Sequence, residues 1–279
     1  METVTGEVLT GLYRPPKDSH KGMNGRVLVI GGSKLFHASI FWSADVASRI
    51  VDLVHFSSPA TENNELVRKR AKDGFWNGIV VPWERVEDYI REDDCILIGP
   101  GMPRTEGLEK GEEPTGRIVD RLLTKFPEKK WVLDGGALQE MDVTLLNSYM
   151  IITPHAGEFI RLFGMVASRD AALEMAQKHN CVILLKGVTD MVCDETHCVE
   201  IRGGNAGMTK GGTGDVLAGL VAGLYCKNDA FLAALSGSSI NKQAGDRLFQ
   251  RAGPFFNASD LVNEIPGVMK EAFGYSYFS

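Results

Sequence analysis

The 279-residue chain has no lysine- or arginine-rich block and carries a formal net charge of -6, so it offers no nucleic-acid surface. Its densest basic stretch, RKRAK at Arg68 to Lys72, reads as the solvated end of a helix. No apolar run is long enough to cross a bilayer. The opening METVTGEVLTGLYRPP lacks the charged-then-apolar order of a secretory leader, so a cytoplasmic protein without a membrane partner is expected. There is no CxxC pair. Cys95, Cys181, Cys193, Cys198 and Cys226 are odd in number and scattered, which excludes a zinc-ligand set and predicts free, largely buried thiols in a reducing compartment. Internal repeats, low-complexity linkers and breaks in composition are also missing, so residues 1–279 are expected to form a single domain.

What is present is an alternation. RVLVIGG (Arg26 to Gly32), DLVHFSSP (Asp52 to Pro59), GIVV (Gly78 to Val81), CILIGPG (Cys95 to Gly101), WVLDGG (Trp131 to Gly136), MIITP (Met150 to Pro154) and CVILLKG (Cys181 to Gly187) are short apolar runs closed by glycine, proline or serine. Between most of them lies enough chain for a crossover helix, the first near Ala38 to Ile50. Strands apolar throughout and spaced by helices predict an α/β fold with a mostly parallel sheet covered on both faces. MVCDETHCVEIRG predicts a hairpin, and Asp215 through Phe249 a mainly helical region. The polar loop Pro103 to Pro114 is expected to be a mobile surface excursion. Ligands gather at the carboxyl ends of strands in such sheets, and those segments here are glycine-rich or small and polar.

The densest glycine segment is NAGMTKGGTGDVLAG, Asn205 to Gly219, which runs into an apolar helix. Gly211, Gly212 and Gly214 at a helix start let backbone amides converge on an anion, and phosphate is the obvious guest. It is not a Walker A loop, because Lys210 precedes the glycines, and neither GGSKLF nor GPGMPR is a dinucleotide fingerprint. Asp215 is a residue type that commonly starts helices. Beside an anion hole it also suits a general base that deprotonates a hydroxyl as a phosphoryl group arrives.

GGTGDVLAG (Gly211 to Gly219) resembles the anion-hole and aspartate signature of the ribokinase-like superfamily. Taken with SHKGMNGRVLVIGGS (Ser19 to Ser33), IGPGM (Ile98 to Met102), TPHAGEFIRLFG (Thr153 to Gly164) and ILLKG (Ile183 to Gly187), the chain from about Ser19 to Ile265 is similar to the ADP- or ATP-dependent NAD(P)H-hydrate dehydratases. The resemblance implies a ribokinase-like three-layer α/β/α fold. It implies repair of NADH hydrate and NADPH hydrate (the S-epimer) by phosphorylation of the ring hydroxyl and elimination of phosphate, with ADP or ATP as donor and Mg2+ present. It gives Asp215 the role of base, Gly212, Thr213 and Gly214 the anion hole, and Ser39, Gly101 and His155 the hydrate. Lys186, Gly187, Val188, Thr189 and Asp190, with Asn205, Lys210, Gly211 and Gly214, would hold the nucleotide, and Glu158 would meet magnesium through water. FHAS (Phe36 to Ser39) and DGGALQ (Asp134 to Gln139) depart from the family's phrases, which puts polar contacts at Asp134 and Gln139 in doubt. Some relatives carry a fused epimerase, so a separate epimerase partner and a homo-oligomer, a tetramer, are expected. The competing readings are a kinase of a vitamin-precursor alcohol (hydroxyethylthiazole, pyridoxal or hydroxymethylpyrimidine) and a nucleotide-binding regulator that has lost turnover.

Overall fold

In the computed structural model, residues 9–73, 77–108 and 112–274 are described. The expected apolar runs become β1 (Arg26–Ile30), β2 (Leu53–Ser57), β3 (Ile79–Val80), β4 (Cys95–Ile98), β5 (Lys130–Leu133), β6 (Met150–Ile152) and β7 (Val182–Leu185), and the hairpin becomes β8 (Asp190–Cys193) and β9 (Cys198–Ile201). All nine join one sheet in the order β3-β2-β1-β4-β5-β6-β7-β8-β9. From β3 to β7 neighbours pair in parallel; β8 and β9 close the edge antiparallel.

Alternation along each strand sorts side chains into two cores. Val27 and Val29 of β1 point into one layer, Leu28 and Ile30 into the other. The first layer is closed by α1 (His37–Ala47), α8 (Thr213–Tyr225), α9 (Ala230–Ala252) and α10 (Ala258–Ala272); the second by α3 (Val86–Glu92), α4 (Thr115–Lys125), α5 (Gly136–Glu140), α6 (Ala156–Phe163) and α7 (Arg169–His179). The remaining helix, α2 (Thr61–Asp73), carries Arg68, Lys69 and Arg70 on its solvated side, as the basic stretch suggested. The result is the three-layer α/β/α architecture.

Helix α8 explains how the site is fixed in place. Val216 through Cys226 are buried without interruption, so this helix is apolar all round and lies in the core. Burying each of Leu217, Leu220 and Leu224 is worth roughly 1.5–3 kcal/mol, which anchors the helix axis. Gly219 lets α1 come close: a Cβ there would meet the Ser43 Cα at 2.6 Å. Its start is therefore held rigidly against the sheet's carboxyl edge.

Two sequence expectations change here. Cys193 and Cys198 are not free thiols; they are a disulfide, because they face each other in the β8–β9 register with Cα atoms 4.1 Å apart. Cys95, Cys181 and Cys226 are free and buried. Helix α10 is an element the pattern did not announce. It starts at a capping box in which Asn257 Oδ1 accepts the Asp260 amide and Asp260 Oδ2 accepts the Asn257 amide. Of the Pro103–Pro114 excursion, residues 109–111 lie outside the described residues, and Thr115 Oγ1 donates to the Pro103 carbonyl at 2.6 Å. Among the described residues no helix is long and apolar enough to cross a membrane.

Candidate active site

The strand order turns between β1 and β4, whose neighbours run off in opposite directions, and the crevice at such a turning point is where a ligand fits. Gly32 and Gly101 sit there with φ of +76° and +68°, which glycine adopts without strain. A Cβ on Gly101 would meet the Ser39 Cβ at 3.0 Å, so these two expected substrate residues are neighbours.

Further along the same edge, four charges converge. Lys186, just past β7, donates from Nζ to Asp134 Oδ1 at 2.7 Å and lies 3.7 Å from Glu158 Oε2. Thr153 Oγ1 donates to the same Asp134 oxygen at 2.7 Å. Burial works to lower the Lys186 pKa, but Asp134, Glu158 and Asp215 outweigh it and hold the ammonium above its ordinary value. Asp215 responds the other way. Its burial, reinforced by the negative charge of Asp134, pushes its carboxyl up to about 6, although Lys186 and a hydrogen bond from Ser39 favour the charged form. A carboxylate tuned there is an effective base at neutral pH.

The helix start supplies the second half of the site. Gly212 takes φ +95° as N-cap of α8, and a Cβ on it would collide with the Trp42 ring at 2.6 Å. Among the described residues the amides of Gly212, Gly214 and Asp215 have no protein acceptor, whereas the Thr213 amide bonds the Lys210 carbonyl at 3.3 Å. The Thr213 hydroxyl donates to the carbonyls of Met208 and Lys210 at 2.6 and 2.9 Å. Thr213 therefore locks the turn, and three free amides with the helix dipole face outward for an anion.

Next to this start lies a cavity of about 510 Å³ walled by Lys186, Gly187, Val188, Asp190, Asn205 and Gly214, six of the residues expected to hold a nucleotide. Val188 is 96 % exposed. Asp190 braces the wall: Oδ1 accepts the Gly187 amide at 2.9 Å and Oδ2 the Ser238 hydroxyl at 2.7 Å. Asn205 is braced in turn by the Gly245 carbonyl at 2.9 Å and Asp246 at 3.1 Å. Thr189 lies in the same turn, and Gly211 is exposed beside the anion hole.

Three expected residues are placed differently from the simplest expectation. Lys210 sends its Nζ to the carbonyls of Pro254 and Phe256 rather than to the glycines. His155 caps α6, Nδ1 accepting the amides of Gly157 and Glu158 at 3.0 and 3.2 Å, while its Nε2 lies 3.6 Å from Glu158 Oε1. Glu158 completes that capping box: Oε2 accepts the His155 amide at 2.9 Å and Oε1 the Gln139 amide group at 3.2 Å. With both oxygens engaged, and no group of three His, Cys, Asp or Glu able to hold a metal among the described residues, this donor set does not build a protein cage for magnesium. The doubted corner is the one the pattern undervalued. Asp134 anchors Lys186, and Gln139 bonds Glu158. Lys242, buried inside α9, was missed altogether; a lysine in a helix of alanines, glycines and serines was its only signal.

The family described as NAD(P)H-hydrate dehydratase matches residues 27–267. The chain is 35 % identical over 262 residues to the bifunctional NAD(P)H-hydrate repair enzyme of Archaeoglobus fulgidus, covering 91 % of this chain and 53 % of that one. It thus spans about half the length of the curated bifunctional relatives it matches. The ADP-dependent (S)-NAD(P)H-hydrate dehydratase of Nitrosopumilus maritimus is 34 % identical over 269 residues, covering 90 % of this chain and 91 % of that one. The fold is that of the Bacillus subtilis ADP/ATP-dependent NAD(P)H-hydrate dehydratase co-crystallized with ATP/Mg2+, with a TM-score of 0.78, 24 % identity and coverage of 96 % and 97 %.

Proposed function

The chain belongs to the NAD(P)H-hydrate dehydratase family, and from that premise we propose that it returns the S-epimers of NADH hydrate and NADPH hydrate to NADH and NADPH, with ADP or ATP as phosphoryl donor. The observation that carries this reading is one junction. The Asp215 carboxyl, raised to about 6 and hydrogen-bonded by Ser39, adjoins free helix-start amides that open onto a nucleotide-sized cavity.

In this reading the residues divide by side. Ser39, Gly101 and His155 seat the hydrated ring with its hydroxyl against Asp215. The amides of Gly212 and Gly214 gather the oxygens of the terminal phosphoryl group, in the field of the α8 N-terminus. Asp215 takes the hydroxyl proton as the hydroxyl oxygen attacks phosphorus, and the nucleotide leaves shortened by one phosphate. Loss of phosphate together with a proton from the neighbouring ring carbon then re-forms the double bond. Phosphorylation matters because hydroxide leaves poorly and phosphate well. Lys186 stays paired with Asp134 and stabilises negative charge on the transferred group. A second cavity of about 480 Å³, bordered by Gly32, Ser33, Trp83 and Met102, has room for the rest of the dinucleotide.

The remaining parts of the proposal are coarser. Magnesium arrives with the nucleotide phosphates rather than on a protein cage. A separate epimerase supplies the S-epimer, the work is done in the cytoplasm, and the chain assembles as a homo-tetramer, which size-exclusion chromatography with light scattering checks. The functional test is product stoichiometry. With hydrated NADH and ADP, AMP, inorganic phosphate and NADH are expected to appear one for one. Nucleotide consumption that requires a vitamin-precursor alcohol instead would establish the kinase reading, and binding without turnover the regulator.

A further inference from the structure

The cavity beside α8 is lined by seven polar side chains, and six of them are already engaged by the protein. Lys186 bonds Asp134, Asp190 bonds Gly187 and Ser238, and Asn205 bonds Gly245 and Asp246. Thr209 and Thr213 donate to backbone carbonyls within their own turn. Lys242 spreads its ammonium over the carbonyls of Gly187, Val188 and Gly203 and the Asp190 carboxylate. The seventh is Asn241. It is 4 % exposed, it stands midway along α9, and its Oδ1 has no hydrogen-bond partner among the described residues. A sealed amide oxygen without a donor costs stability, so a protein that keeps one at a cavity wall gains something when the cavity fills.

Its surroundings narrow the occupant. Val188, Met208 and Leu217 give this cavity its apolar surface. The phosphate-seeking amides gather at one end of it, where Gly214 lines the wall next to Gly212. A flat heteroaromatic ring against apolar walls, with one amide at its edge, satisfies both. A carboxamide presents a donor and an acceptor side by side, and rotation about its last bond exchanges them. Adenine presents an exocyclic N–H beside a ring nitrogen acceptor on either of its two open edges, which is the matching pair. Building on the nucleotide reading above, we infer that Asn241 reads the exocyclic amine of the adenine base and so makes this cavity selective for adenine nucleotides.

The test is equilibrium binding by calorimetry without any hydrate, so turnover plays no part. The probes are ADP and its purine analogue lacking the 6-amino group. Wild-type protein is expected to bind ADP about 10-fold tighter than the analogue. Asn241→Leu, which keeps the volume and removes both hydrogen-bonding atoms, is expected to weaken ADP by about 10-fold and bring the ratio close to one. Its ligand-free melting temperature should equal or exceed wild type, because the unpaired amide is gone. Asn241→Ser opens space instead of filling it and should collapse the ratio likewise. An unchanged ratio in both variants, or equal losses for both probes, overturns the inference while leaving the nucleotide reading standing. A wild-type protein that binds neither probe overturns both.

Discussion

Replacing Asp215 by Asn should stabilise the protein while removing its turnover, and the structure sets the size of the effect. The carboxyl titrates at about 6 against an ordinary 3.8, because it is buried and faces Asp134. A raised carboxyl pKa means that folding favours the protonated form. Above about pH 6 the folded state therefore carries a charge that it disfavours by about two pKa units, on the order of 3 kcal/mol. Below the unfolded value of 3.8 both states are protonated and the penalty is gone. Asn is never charged. Asp215→Asn is thus expected to gain up to ~3 kcal/mol at about pH 8, losing that gain progressively between about pH 6 and 4. At about 2–4 °C per kcal/mol, the neutral-pH melting point should rise by several degrees. Urea unfolding of both proteins at the two pH values measures this directly. Equal stability differences at both pH values, or a weaker variant at the higher one, would refute the idea that Asp215 is a desolvated charge. The same variant should lose about 10²–10⁴-fold in kcat, the usual worth of a general base.

Further expectations follow from the neighbouring groups. The acid limb of the kcat/KM profile should have its midpoint near the Asp215 value of about 6, with the deprotonated form active; a limb near 4 would assign the base elsewhere. Lys186→Met leaves Asp134, Glu158 and Asp215 facing one another uncompensated, so it should cost about 3–5 kcal/mol at neutral pH and move the acid limb to higher pH, both read from unfolding and rate profiles. Gly212→Ala drives a Cβ into the Trp42 ring at a φ of +95°, and nucleotide affinity measured by calorimetry should fall at least about 10-fold; unchanged affinity would free the turn of its anion-binding role. Thiol titration of the unfolded, unreduced protein should find Cys95, Cys181 and Cys226 reactive and Cys193 and Cys198 only after reduction; five reactive thiols before reduction would contradict the hairpin disulfide.

Much of the fold was legible because parallel strands buried on both faces must be apolar throughout and must end in residues that break the strand. RVLVIGG and CILIGPG satisfy both conditions in a few letters, and they became β1 and β4 with the crevice glycines behind them. Helix α10 escaped notice because its start is a capping box of polar residues and Pro266 interrupts its pattern. The site's outline was legible for the same reason as the strands: glycines before a helix expose amides whatever the rest of the chain does. Its finer parts were not. Asp134 meets Lys186 across 52 positions of sequence, and only the parallel pairing of β5, β6 and β7 brings their strand ends together. Lys210 stands one position before the glycines, yet nothing in a sequence fixes which way four rotatable bonds will carry its charge. The pairing of Cys193 with Cys198 depends on hairpin register, which a spacing of five leaves open.

The central claim is that Asp215 and the bare amides of Gly212 and Gly214 pass a phosphoryl group to the hydroxyl of a hydrated nicotinamide. Mixing the protein with hydrated NADH, magnesium and ADP or ATP, and following absorbance in the reduced-nicotinamide band, tests it most directly. Recovery of absorbance by wild type, and none by an Asp215→Asn variant that still binds nucleotide with wild-type affinity, is the expected result. Recovery at wild-type rates by that variant, or no recovery by wild type with either nucleotide, would contradict the account.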